Sequence, residues 1–335
     1  MKSKAVKLSR ARDAAPLSPA RAVEADLAAV EAKLSTLLDS NEKLIAEICH
    51  YLVDGAGKRL RPTFVLLIYR ACGGSDANVE DAVDVAISLE LIHSATLLHD
   101  DIIDGGKLRR GKPSAYARYG FGPTLVAGDY LFCRAFELCG RFEERLIRAA
   151  AHACIQLTEG EMMEGRFRHS LAATLNDYIA VITRKTGSLF ATAGRVASDL
   201  AGVPPPAVAK MEKLGNSIGL AFQMVDDLLD ILGPEEKIGK PVGSDLRAGI
   251  PSLPVVLGVA RNEELRRMLS DGGQLEGERL QRALALLRDP ALVAEARAMA
   301  TAQVRIARDI LAELPASPWR DSLALLIDEQ IDREA

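Results

Sequence analysis

Apolar side chains recur at helical spacing along nearly the whole chain, and this pattern limits the fold more than any other feature. Between Ile87 and Leu98, for example, they follow the three- and four-residue spacing of one helical face. Stretches that alternate polar and apolar residues, as a half-buried strand does, are nearly absent. Hydrophobic residues make up 48% of the 335 residues but aromatic residues only 4%, so the packing must be mostly aliphatic. The pattern predicts an all-α fold with a single large helical domain.

Residues 1–19 differ from the rest of the chain. They are basic, poor in apolar side chains and end in two prolines, so we expect a disordered leader followed by one domain over 20–335. An unstructured terminus is the simplest role for this leader. An organelle-targeting peptide and weak membrane-surface association are the alternatives.

Three aspartates, Asp100, Asp101 and Asp104, end the longest apolar segment. If the helix continues through them, Asp100 and Asp104 lie one turn apart on the same side. Carboxylates this close repel one another and need protonation or a compensating cation. Mg2+ suits them, because it takes one or two carboxylates and fills its other positions with water and phosphate. Arg109 and Arg110 follow and add positive charge, so the segment is typical of a diphosphate site.

The same three-aspartate spacing occurs a second time, at Asp226, Asp227 and Asp230, again at the end of an apolar helical run. Because the two motifs are so far apart in sequence, we expect them on two helices that face each other across a cavity. With both present, the chain resembles the trans-polyprenyl diphosphate synthases, in particular the long-chain octaprenyl and decaprenyl enzymes. The resemblance implies an isoprenoid synthase fold with helices around a central cavity, a homodimer, and Mg2+ ions held by all six aspartates.

The resemblance also implies the reaction. Isopentenyl diphosphate would condense with an allylic prenyl diphosphate, such as farnesyl diphosphate, to give a long-chain all-trans product, expected to supply quinone side chains. The allylic carbon–oxygen bond ionises, the isopentenyl double bond attacks, and a proton is lost. Because the leaving diphosphate gains charge in the transition state, Mg2+ and fixed cationic side chains accelerate its departure.

Several side chains match positions that bind substrate in this family. The resemblance assigns the diphosphate of isopentenyl diphosphate to Lys58, Arg59, His93 and Arg110. The other substrate-binding positions it implies are Arg109, Lys185, Thr186, Gln223 and Lys240. Lys185 is also predicted to be catalytic, together with every aspartate of the two motifs except Asp230. Taken alone, the basic turn that contains Lys58 and Arg59 also fits a solvated turn, and His93 also fits a hydrogen-bonded core histidine.

The expected helix boundaries place these residues along the chain. We expect helices from Asp129, over 143–168 and from about Leu175, with the prolines at 204–206 ending one helix and opening the next. The glycine- and proline-rich loop over 233–254 has the composition of a lid. Within it, Ile250 stands where many relatives have a lysine, which leaves the manner of loop closure open.

Small side chains beneath the first motif bear on the length of the product. Ala95 and Thr96 lie about one turn deeper than Asp100, where short-chain relatives tend to place an aromatic residue. We therefore predict a long-chain product, with Ala95 and Thr96 in the cavity wall and Phe132 or Phe136 as its floor.

Composition excludes several other functions. A net charge of −4 provides no field that would attract nucleic acid, and we expect no apolar run to approach the length of a membrane span. Five cysteines without a CxxC pair indicate reduced thiols and a cytoplasmic location. A diphosphate hydrolase, a prenyl cyclase and a non-catalytic subunit of a heteromeric synthase remain as alternatives.

Overall fold

The computed structural model describes residues 17–53, 59–233, 242–271 and 275–331. Its α-helices are α1 (Pro19–Ala22), α2 (Glu24–Leu37), α3 (Lys43–Val53), α4 (Leu60–Ala71), α5 (Val79–Ile103), α6 (Ala115–Tyr119), α7 (Phe121–Cys139), α8 (Glu144–Phe167), α9 (Leu175–Ile182), α10 (Ser188–Leu200), α11 (Pro205–Leu232), α12 (Ser244–Ala248), α13 (Leu253–Arg261), α14 (Glu263–Ser270), α15 (Gly277–Leu287), α16 (Pro290–Leu311) and α17 (Pro318–Asp328). A 3-10 turn (Asp76–Asn78) precedes α5, and a π-helical turn (Thr183–Gly187) joins α9 to α10. A two-residue hairpin pairs β1 (Leu108–Arg109) with β2 (Lys112–Pro113). The predicted all-α fold is confirmed.

Helix α5 runs through the core and carries the first aspartate motif at its C-terminal end. Every residue from Ala82 to Ile92 is buried, because α2, α4, α7 and α10 all pack against this helix. The segment Asp76–Ile103 is long and apolar enough to cross a membrane, which corrects the expectation that no run approaches that length. However, 83% of its most apolar window is buried inside the protein, as in the core helix of a globular domain.

Helices α10 and α11 approach each other closely, and glycine makes this approach feasible. A Cβ atom at Gly194 would lie 2.1 Å from the carbonyl oxygen of Met211, and one at Gly215 would lie 2.1 Å from that of Phe190. No larger side chain fits at either crossing point without moving a backbone. The crossing sets the distance between the π-helical turn and the second aspartate motif on α11.

Two predicted boundaries are corrected by the structure. Helix α7 begins at Phe121, eight residues before the predicted start at Asp129, directly after Gly120 with a φ of +83°. The predicted leader was to end at residue 19, but Pro19 already begins α1 and the carbonyl oxygen of Leu17 accepts a hydrogen bond from Ser322 (3.0 Å). Residues 1–16 lie outside the described residues. The predicted helices over 143–168, from Leu175 and opening at the prolines of 204–206 are confirmed.

All five cysteines are free thiols, as the sequence indicated. Burial raises the pKa of Cys49 and of Cys72 to about 12, so neither forms a thiolate near neutral pH.

Candidate active site

The first aspartate motif divides into two outward-facing carboxylates and one inward-facing carboxylate. The amide of Asp104 donates to the carbonyl oxygen of Asp100 (2.8 Å), so the helical turn continues and both side chains lie on one side, as predicted. Asp101 is only 3% exposed, and Nε and Nη2 of Arg109 lie 2.9 and 2.8 Å from its Oδ1. Arg109 therefore holds Asp101 in the protein, while Asp100 and Asp104 are left to face the site.

Lys185 lies opposite these carboxylates, in an unusual turn of the chain. Its Nζ is 2.6 Å from Glu161 and 2.7 Å from Glu164, both on α8. The π-helical turn brings it there by packing against Gly160, where a Cβ atom would lie 2.7 Å from the amide nitrogen of Lys185. Such π-helical turns occur frequently at functional sites. Glu161 and Glu164 therefore orient Lys185.

Burial and mutual repulsion shift the pKa values of the acidic groups around Lys185. Burial raises the pKa of Asp100 to about 7; Glu161 and Asp104 add to the rise, and Lys185 opposes it. Burial alone would lower the pKa of Lys185, but Glu164, Asp100 and Glu161 together raise it above its ordinary value. Lys185 is therefore a permanent cation, and the carboxylates around Asp100 lack full compensation.

In the second motif, Asp227 and Asp230 hold neighbouring backbone in place. Asp227 accepts hydrogen bonds from the Gln223 amide (2.9 Å) and from the Leu253 backbone amide at the start of α13 (2.9 Å). Asp230 accepts from the Ser244 hydroxyl (2.5 Å) and from the amide of the next residue (3.2 Å). Both carboxylates are nearly inaccessible, at 4% and 1% exposed. Both aspartates therefore have structural partners.

Asp226 differs from Asp227 and Asp230 because it is half-buried rather than buried. It lies close enough to Arg61 that its charge partly offsets the lowering of the Arg61 pKa by burial. Thr186 and Gln223 extend the network beside it: the Thr186 hydroxyl donates to Oε1 of Gln223 (2.8 Å), whose amide nitrogen donates to Asp227. These hydrogen bonds connect the π-helical turn to the second motif.

A cluster of cations lies beside the two motifs. Burial lowers the pKa of His93 well below its ordinary value, and Arg61, Arg110 and Arg109 lower it further, so the imidazole is neutral. Burial also lowers the pKa of Arg61, to about 10, and its Nε is buried without a hydrogen-bond partner. Several guanidinium groups and an unsatisfied buried donor suit a bound anion, because an anion would accept a hydrogen bond from that donor.

Arg59, which the resemblance assigned to substrate, has structural partners instead. At a left-handed φ of +45° before α4, its guanidinium binds Glu31 (2.5 Å), Glu90 (3.4 Å) and the carbonyl oxygen of Val53 (3.2 Å). Arg61, two residues later, takes its place in the cationic cluster. The resemblance pointed to the whole basic turn but assigned only Lys58 and Arg59 within it, because Arg59 and Arg61 are distinguished only by partners far along the chain. Lys58 and Lys240 lie outside the described residues.

A groove of about 770 Å³ opens between α7 and α8. It is lined by Phe132, Cys154, Ile155, Thr158, Glu159, Met162, Met163, Arg166 and Arg184. Of the predicted wall residues, Phe132 lines it, whereas Ala95 and Thr96 do not. Ala95 is fully buried in the core, and the Thr96 hydroxyl donates to the carbonyl oxygen of His93 (2.8 Å). Phe136, the alternative floor, is 40% exposed outside the groove.

The described residues contain no group of three or more acidic, histidine or cysteine side chains already arranged around a metal position. The donor chemistry nevertheless suits a hard cation, because Asp100, Asp104 and Asp226 supply carboxylate oxygens and burial raises the pKa of Asp100. Oxygens from water or substrate would therefore have to complete the coordination of a metal ion.

Two acidic motifs facing a cationic cluster, carried by a helical domain, define an all-α isoprenoid synthase. A model of the family described as polyprenyl synthetase matches residues 42–287. The chain is 33% identical to a short chain isoprenyl diphosphate synthase of Methanothermobacter thermautotrophicus (89% of this chain, 93% of that protein) and 35% identical to a nonaprenyl diphosphate synthase of Mycobacterium tuberculosis (94% of each). A crystal structure of a Caulobacter crescentus polyprenyl synthase complexed with calcium and isoprenyl diphosphate superposes with a TM-score of 0.89 at 33% identity, covering 95% of this chain and 97% of that one.

The chain therefore belongs to the polyprenyl synthetase family and is a prenyltransferase. The family match covers both aspartate motifs, the cationic cluster and the π-helical turn.

Proposed function

We propose that this prenyltransferase is an Mg2+-dependent long-chain trans-prenyl diphosphate synthase, which extends an allylic diphosphate such as farnesyl diphosphate with isopentenyl diphosphate. The observation that supports it best is the adjacency of two different anion sites. Arg109 is close enough to act electrostatically on both Asp100 in the acidic motif and His93 in the cationic cluster. Two diphosphates bound at these sites would have their reactive carbons next to each other.

The acidic site suits the allylic diphosphate. We assign the metal-binding role to Asp100, Asp104 and Asp226, which are accessible from the site, and a positioning role to the other three aspartates, which are at most 4% exposed and bind neighbouring side chains or backbone. Mg2+, when bound, would supply the charge that stabilises the leaving diphosphate. Lys185, oriented by Glu161 and Glu164, adds a fixed cation at the same place. The Caulobacter crescentus relative was crystallised with calcium and isoprenyl diphosphate, which supports a divalent cation and a diphosphate as ligands here.

The cationic site suits isopentenyl diphosphate. Arg61 and Arg110 supply charge without a metal ion, and the neutral His93 can hydrogen-bond a phosphate oxygen without adding to the repulsion among the arginines. Lys58 and Lys240 stay predictions from the family resemblance.

The groove between α7 and α8 suits a growing apolar chain. Ile155, Met162 and Met163 line it, and the flexible thioethers adapt to variable hydrocarbon shapes. A long product also fits the nonaprenyl relative, although the similarity to a short-chain enzyme requires a direct measurement.

We further propose a homodimer. Large apolar side chains are exposed along α7, among them Phe121 (60%), Val126 (50%) and Phe136 (40%), and a second copy of the chain would cover them. Replacement of Phe121 with Glu should then yield a monomer by light scattering. Use of the product for quinone side chains, the cytoplasmic location and the role of the leader stay predictions.

The decisive experiment incubates the purified chain with Mg2+, labelled isopentenyl diphosphate and farnesyl diphosphate, and separates the dephosphorylated products by length. We expect a ladder that ends at a long-chain polyprenol, no product in EDTA, and a severe loss of rate for Asp226→Asn. Incorporation that stops after one or two additions would refute the long-chain product. Full activity in EDTA would refute the metal-dependent reaction.

A further inference from the structure

The two residues that follow α8, Arg168 and His169, connect the two halves of the site. The Arg168 guanidinium forms an ion pair with Asp104, and both side chains are largely shielded, at 22% and 33% exposed. Glu164 and Glu161 also act on Arg168 electrostatically, so it belongs to the acidic cluster. Arg168 is therefore a further cation there, in addition to Lys185 and Arg109, and none of the site predictions included it.

His169 binds the segment that packs on the second motif. Its backbone amide donates to the carbonyl oxygen of Gly249 (2.8 Å), and its ring lies against the same residue, where a Cβ atom would be 2.2 Å from Nδ1. His169 has a left-handed φ of +57°, which costs free energy for any residue with a side chain. Gly249 is also left-handed, at +70°. The surrounding contacts therefore hold both residues in this geometry.

The segment that ends at Gly249 is anchored to the second motif on its other side. The Ser244 hydroxyl donates to Asp230, and the Leu253 amide donates to Asp227. A continuous series of bonded groups therefore runs from Asp104 through Arg168 and His169, along residues 244–253, to the second motif.

We propose that Arg168 is a positioning residue for the prenyl transfer reaction, and that Arg168 and His169 fix the distance between the two aspartate motifs. Arg168 binds Oδ1 of Asp104, which orients the carboxylate so that its other oxygen can meet a cation shared with Asp100. His169 transmits any displacement of Arg168 to the second motif. This inference rests on the proposed metal-dependent function and adds a residue outside both motifs that tunes cation binding.

The test compares Arg168→Gln with the wild type in two assays. In steady-state kinetics, we expect the Mg2+ concentration for half-maximal rate and the KM for the allylic diphosphate to rise about tenfold, the usual effect of losing a residue that orients a metal ligand. The KM for isopentenyl diphosphate, which binds at Arg61 and His93, should stay unchanged. In calorimetric titration with magnesium diphosphate, the variant should bind correspondingly more weakly. Arg168→Lys should recover part of both losses.

The matched control is Arg148→Gln, which removes the same charge from an exposed position on α8 that pairs with Glu144, one turn earlier on the same helix. It should leave all constants unchanged. Gly249→Ala, which displaces His169, should also raise the Mg2+ concentration for half-maximal rate. In the variant that carries both Arg168→Gln and Gly249→Ala, this concentration should rise by less than the product of the two single increases. Unchanged or lowered half-saturating Mg2+ in Arg168→Gln, or equal changes in both KM values, would overturn the proposal. Absence of prenyl transfer in the wild type would instead refute the proposed function, while the magnesium diphosphate titration would still test Arg168.

Discussion

Replacement of Arg61 with Met should separate substrate binding from stability. The thioether side chain has a similar shape and can still pack against Phe190, whose ring centre lies 5.0 Å from the Arg61 guanidinium carbon. A charge-assisted hydrogen bond to a phosphate contributes about 1.5–3 kcal/mol. At about 1.4 kcal/mol per tenfold, kcat/KM for isopentenyl diphosphate should fall by about 10- to 100-fold. The KM for the allylic diphosphate should change little.

The stability of the same variant should move in the opposite direction. Burial, assisted by the repulsion from Arg110, lowers the pKa of Arg61 to about 10, so the folded state disfavours this charge although the group stays protonated at neutral pH. Removing it should leave the free energy of unfolding unchanged or raise it by something on the order of 1 kcal/mol. Denaturant unfolding in EDTA measures this change.

Arg59→Met is the matched comparison, because it removes the same group two residues away. It leaves Glu31 and the buried Glu90 without their guanidinium partner, so the free energy of unfolding should fall by about 1–3 kcal/mol. Its effect on isopentenyl diphosphate should be much smaller than that of Arg61→Met when both are assayed well below their unfolding temperatures. An equal or larger loss of kcat/KM in Arg59→Met would refute the assignment of Arg61 to the substrate.

Three further perturbations test the packing, the charge and the groove. Burial raises the pKa of Asp227 from 3.8 to about 7, so the folded state retains a proton that the unfolded state loses. In EDTA the free energy of unfolding should therefore fall as pH rises from about 4 to 7, and Asp227→Asn should flatten this slope. An unchanged slope in the variant would show that Asp227 is not the group that titrates. Phe132→Ala should lengthen the products, seen by chromatography of the polyprenols, and Phe136→Ala, outside the groove, should not; equal shifts would show that Phe132 is not the wall. Gly215→Ala should destabilise the protein by about 1–3 kcal/mol in thermal or denaturant unfolding, because its Cβ would lie 2.1 Å from a carbonyl oxygen on α10, and a neutral effect would show that the two helices can separate at little cost.

The division of labour among the six aspartates could not be predicted from their spacing. Both motifs have the same pattern, and the pattern places two of three carboxylates on one helical face in each. In the first motif, Arg109 removes Asp101 from the site. In the second, the Leu253 amide and Ser244 bind Asp227 and Asp230, so that Asp226 is left facing the cationic cluster. The partners that decide this lie 8 to 26 residues away.

The sequence by itself determined the helical fold, the course of the long core helix and the location of both acidic motifs, because periodicity and helix-ending residues act over a few residues. It also located Lys185, Thr186 and Gln223, which the structure brings together. Only the tertiary structure decided that Arg61 rather than Arg59 joins the cationic cluster, that Ala95 lies in the core rather than in the groove, and that Arg168 reaches Asp104. Each of these depends on which distant side chain offers a charge or a space, and local sequence patterns do not specify such partners.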